Sequence, residues 1–201
     1  MKARVNWYDY SISKEARSHY DEDLCAVAAH EAGHVVMSIL VGGSFPRTIT
    51  VEPGETYRGR VVGAHCNPLG YLNPVPEWQK PSVRRDVLIT FAGPVAEEMS
   101  GLWYGDYEGW ESDYDQAETM LHAIEEDDFE TGRQTYAGFA WRLLMYKRPK
   151  RALRAVADYL LEHRTISDAD DKIEILCSMV YKILGDYQER AWAKIAKFVK
   201  E

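Results

Sequence analysis

The stretch Ala28-Ala29-His30-Glu31-Ala32-Gly33-His34 reads H-E-x-x-H, inside an apolar run that extends from Leu24-Cys25-Ala26-Val27 to Val35-Val36-Met37-Ser38-Ile39-Leu40-Val41. At 3.6 residues per turn, positions four apart lie on nearly the same face of a helix, so His30 and His34 aim their imidazoles at one point. The run around them marks a buried helix, in which bare polar groups are costly, so the rest of the chain has to be organised around this segment. Two His at this spacing suit zinc. Glu31, on the adjoining face, is placed to take a proton from water at the metal and return it to a leaving amine, the division of labour of a hydrolase.

The remaining segments read as the surroundings of that helix. It is expected to start near Ser13 and continue to about Val41, where Gly42-Gly43-Ser44-Phe45-Pro46 stops it. Gly33 inside it costs about 1 kcal/mol relative to Ala, which calls for a close backbone or metal approach, or for helix packing. Residues Arg47 to Glu52 and Tyr57 to His65, on either side of Pro53-Gly54, form a hairpin of short strands that is marginal alone and must pack on the His30 helix. Within the second strand, Gly59, Arg60, Val61 and Val62 are candidate substrate-binding positions: an exposed edge there would accept an extended peptide as a further strand, and a covered edge would not. The stretch Asn67 to Pro81 carries four prolines and reads as a loop.

From Ser82 the residues Val83, Val87, Leu88, Phe91, Val95 and Met99 recur at helical spacing, with Gly93-Pro94 as an expected kink or break. Ser112 and Asp115 have the spacing of a cap opening a helix over 113–126, whose first turn would hold Asp113 and Asp115 against the helix dipole. Helices are further expected over Thr131–Lys147, Pro149–His163, Ile173–Leu184 and Tyr187–Val199. From the residues alone the third metal ligand stays open among Asp113, Glu97, Glu98 and His65. The spacing H-E-x-x-H-x-x-G-x-x-H is excluded, because Met37 and Leu40 stand where Gly and His would be. Glu97 or Glu98 would complete a His-His-Glu site, whereas Asp113 offers a short carboxylate at a helix start after a Gly/Tyr loop.

The chain of 201 residues suits a single domain, and its net charge of −8 disfavours nucleic acid or an anionic membrane as the main partner. Its three cysteines, Cys25, Cys66 and Cys177, are too scattered for a disulfide framework or a four-cysteine zinc site. No signal peptide and no apolar run of about eighteen residues is expected, so the reading is a cytoplasmic protein without a membrane span. A phosphate loop of the G-x-x-x-x-G-K kind is absent from the sequence, which predicts activity independent of ATP.

Four stretches in order resemble the protease domain of the FtsH-type, ATP-dependent zinc metalloproteases. They are Ala29-His30-Glu31-Ala32-Gly33-His34-Val35-Val36, Ile49-Thr50-Val51-Glu52-Pro53-Gly54, Phe91-Ala92-Gly93-Pro94-Val95-Ala96-Glu97-Glu98-Met99 and Glu111-Ser112-Asp113-Tyr114-Asp115-Gln116-Ala117. Ala155 to Ser167 is similar to that family's closing helix. The likeness spans about residues 20–176, leaving 177–201 as an extra C-terminal helix. It implies a mainly α-helical (α+β), zincin-like metallopeptidase domain with a small β-hairpin or sheet beside the H-E-x-x-H helix. It also implies one zinc per chain held by His30, His34 and Asp113, and Glu31 as general base. Glu97 or Glu98 would then accept a hydrogen bond from a ligating imidazole. The chain departs from the family at Pro94, and neither a membrane anchor nor an ATPase module lies within these residues. The expectation is an ATP-independent metalloendopeptidase acting on peptides or unfolded segments, with self-association left open. The competing readings are a catalytically silent peptidase-like binding or adaptor protein, and another zinc hydrolase, such as an amidase, with the same ligands.

Overall fold

The apolar run around His30 is the helix α2, Glu22–Leu40, in which every residue from Ala28 to Leu40 is buried. The computed structural model describes residues 13–42, 47–52, 60–62, 75–102, 110–124, 128–169 and 171–200. One continuous helix from Ser13 does not form. A separate short helix, α1, spans Lys14–His19, and the chain restarts at Asp21, whose extended backbone (φ −56°, ψ 144°) and side chain, accepting the Asp23 N–H at 2.9 Å, cap α2. Helix α2 is long and apolar enough to cross a membrane, but 83% of its most apolar window is buried inside the fold, as in the core helix of a globular domain.

Around α2 stand α3 (Lys80–Ser100), α4 (Glu111–Ala123), α5 (Phe129–Leu144), α6 (Lys147–His163), α7 (Lys172–Leu184) and α8 (Tyr187–Phe198). The protein is mainly helical with a small antiparallel sheet. Helices α3 and α6 pack most extensively on α2, α4 and α5 pack on α3, and α7 packs on α6. Phe91, Met37, Leu40, Leu88, Met120, Leu143 and Leu153 fill the core between them and are almost wholly excluded from solvent. Excluding side chains of that size stabilises the fold by roughly 1.5 to 3 kcal/mol each.

The sheet has the order β2-β1-β3. Strand β1, Thr48–Thr50, lies between β2, Arg60–Val62, and β3, Thr165–Ser167, and in register Ile49 pairs with Val61 on one side and Ile166 on the other. The expected hairpin pairing of β1 with β2 is present and α6 stops at His163 as expected; only the likeness of Ala155–Ser167 to a closing helix runs too far, because Arg164, with φ 62°, turns the chain into β3. Thr50 and Thr165 join their hydroxyls across β1 and β3 at 2.7 Å.

Two further expectations are corrected. Helix α3 passes through Gly93-Pro94 without a break and starts at Lys80, with Pro81 in its first turn, where a missing N–H costs nothing. Helix α4 has Trp110 at its N-cap position and no side-chain cap bond, so Ser112 does not open it. The expectations for the turn at Pro53-Gly54, Gly59, His65, Cys66, most of the proline-rich loop and residues 103–109 fall outside the described residues.

Candidate metal centre

Two glycines set the spacing between α2 and α3. A Cβ on Gly33 would overlap the Ala92 carbonyl oxygen and stand 2.7 Å from the Ala96 Cβ, so this glycine serves helix packing rather than a metal approach. With the helices this close, the backbone of Gly93 passes beside the imidazoles. A Cβ there would collide with His34 Nε2 and lie 2.7 Å from His30 Nε2. In the sequence Gly93 reads only as half of a breaker pair; its role depends on the facing helix and leaves no local signal.

The imidazoles are oriented from behind. His30 Nδ1 lies 3.0 Å from Glu97 Oε2, and His34 Nδ1 lies 2.8 Å from the Ile89 carbonyl oxygen. Both partners only accept, so each Nδ1–H donates to them and each Nε2 is turned toward the other ring. The two Nε2 atoms are 3.1 Å apart, and Asp113 Oδ2 from the first turn of α4 lies 2.9 Å from that of His30 and 3.6 Å from that of His34. Three electron-pair donors on two distant helices thus converge, all of them buried.

Such a cluster needs a cation. A proton is one answer: burial opposes an imidazolium, but the Asp113 carboxylate outweighs it and holds both His30 and His34 above the ordinary histidine value. Burial also opposes the Asp113 charge, and the two imidazoles outweigh it, keeping this carboxyl well below the usual carboxylate range. The cluster is in this sense a buried ion pair. A metal is the other answer: ligand bonds of about 2.0 to 2.2 Å in tetrahedral geometry put donor atoms about 3.3 to 3.6 Å apart, so the 3.6 Å separation already matches, while those of 3.1 and 2.9 Å open by a few tenths of an ångström to admit an ion. His30, His34 and Asp113 could therefore hold a metal ion.

Glu31 is part of the same buried group, 4% exposed, and its Oε2 has no hydrogen-bond partner among the described residues. Burial pushes its carboxyl up to about 7, against the pull of His30 and His34. A carboxyl with that value exchanges protons at neutral pH, which is what a general base requires.

The described carboxylate candidates separate cleanly. Glu97 accepts from His30, while Glu98, turned about 100° further round α3, is exposed at the wall of a pocket of about 190 Å³ that Phe91, Trp110 and Tyr114 also line. Partial burial there raises the Glu98 carboxyl above its ordinary value. Of the substrate-strand candidates, Arg60, Val61 and Val62 form β2 at one edge of the sheet. A residue that sequence reading missed is Trp110, whose indole Nε1–H donates to Glu97 Oε2 at 2.6 Å. No family model and no curated protein matches the chain.

Proposed function

We propose that the chain is an ATP-independent zinc metalloendopeptidase with a zincin-like, FtsH-like catalytic domain. The observation that carries this reading is the Glu31 carboxylate, buried with an oxygen that no described residue partners, beside the convergent donors of His30, His34 and Asp113. An ion-pair cluster that served only stability would have no use for it, and an orphaned buried acceptor costs about 1–3 kcal/mol.

Zinc held by His30, His34 and Asp113 would act as a Lewis acid, acidifying water and polarising the scissile carbonyl. Glu31 accepts the proton of the attacking water and delivers it to the leaving amine, which its value near 7 permits in both directions. Glu97 and the Ile89 carbonyl hold the imidazoles in the tautomer with Nε2 free to ligate. An extended peptide adds to β2, which pairs only with β1 among the described residues, and main-chain bonds there bind it with little preference for sequence.

The test is digestion of casein or a quenched peptide with and without a chelator, alongside Glu31→Gln. Chelation should abolish hydrolysis, and Glu31→Gln should keep one zinc per chain while losing about 10²–10⁴-fold in turnover. Zinc retained by a wild-type protein that cleaves nothing points instead to a peptide-binding protein; no zinc at all refutes the metal centre.

A further inference from the structure

The geometry points to Trp110 as a positioning residue for the metal centre, acting through Glu97; this rests on the metal-binding reading above. Glu97 Oε2 receives two bonds, one from the Trp110 indole N–H at 2.6 Å and one from His30 Nδ1 at 3.0 Å. A carboxylate on a flexible side chain would otherwise sample rotamers that leave the imidazole unheld. The indole, itself 5% exposed and packed edge-on against Tyr114 with ring centroids 6.0 Å apart, removes that freedom. Trp110 is also the N-cap residue of α4, three positions before Asp113. One side chain thereby ties the helix that supplies the Asp113 carboxylate to the carboxylate that orients His30, coupling two of the three ligating groups. Outer partners of ligating histidines act on affinity through orientation, and losing one commonly costs 10–100-fold.

The test is Trp110→Phe, which keeps an aromatic wall and removes the donor. Zinc affinity is measured by competition with a chromophoric chelator, and ligand geometry by the visible spectrum of the cobalt-substituted protein. The expected result is a loss of about 10–100-fold in affinity and an altered cobalt spectrum, with the far-UV circular dichroism of the metal-free protein unchanged. Combination with Glu97→Gln should add little, because both changes break the same chain. Unchanged affinity and spectrum, or full additivity with Glu97→Gln, would overturn the role while leaving the proposed function standing. A wild-type protein that takes up neither metal would sink both. If Trp110→Phe does not fold, benzothienylalanine at position 110, which keeps the indole shape without the N–H, gives the same readings.

Discussion

Asp113 distinguishes a metal centre from a helix-end carboxylate by how much depends on it. As a first-turn residue it would contribute about 1 kcal/mol to α4, whereas as the third donor beside His30 Nε2 it should be indispensable for metal uptake. Asp113→Ala is accordingly expected to lose zinc, measured by elemental analysis after dialysis, while Glu98→Ala retains it. Full zinc in Asp113→Ala would remove this residue from the centre. Gly93 makes a second demand at the same scale. A methyl group there would occupy the space between His30 and His34 Nε2. Gly93→Ala should therefore abolish zinc binding with helicity unchanged, since Ala is about 1 kcal/mol better than Gly within a helix. Normal metal content in the Gly93→Ala variant would show that the imidazoles can move aside. Of these residues, His30, Glu31 and His34 were legible in sequence because their relation is local, one turn of one helix. Asp113 is one of four candidates in the sequence, favoured by its place at a helix start and by the family likeness, and Trp110 and Gly93 give no signal of their roles, which exist only across the contacts of α3 with α2 and α4.

Among the elements, the long periodic helices were legible to within a few residues at their ends. What escaped was decided by single side chains or by distant partners. Tyr20 and the cap residue Asp21 separate α1 from α2, and β3 exists only because β1, more than a hundred residues earlier, pairs with it. The start of α5 is a similarly local construction and gives a pH-dependent prediction. Asp128 accepts from the Thr131 N–H and hydroxyl, and Glu130 accepts from Arg133 at 2.7 and 2.9 Å and from Gln134 at 2.9 Å. Those bonds, the one from Arg133 foremost, hold the Glu130 carboxyl at about 2, below the ordinary 4.5. A depressed folded value means a contribution fully present above about 4.5 and lost as the pH falls toward 2. Glu130→Gln should lower Tm slightly at pH 7, and the difference from wild type should vanish in melts taken progressively toward pH 2. A difference that is constant across that range would assign the effect to packing instead. Arg133 also lies over the Tyr114 ring, 6.0 Å from its centroid, so this turn braces the helix that carries Asp113.

At the scale of the whole molecule, α2 is enclosed by parts of the chain that come late. Its first large partner is α3, but the second, α6, ends at His163. A chain terminated after Met145, lacking α6 to α8, is expected to sediment as aggregate on expression while the full chain stays in the supernatant; a monomeric, zinc-binding truncation would contradict the enclosure. The same arrangement has a consequence in time. A ribosome adding roughly 5 to 20 residues each second takes on the order of 6 to 25 s to travel from the end of α2 to the end of α6. Throughout that interval the most apolar of the described helices has one flank bare, the kind of surface that recruits neighbouring nascent chains and chaperones. The yield of intact protein should therefore respond to the rate of elongation over residues 41–163, and not only to the stability of the finished fold.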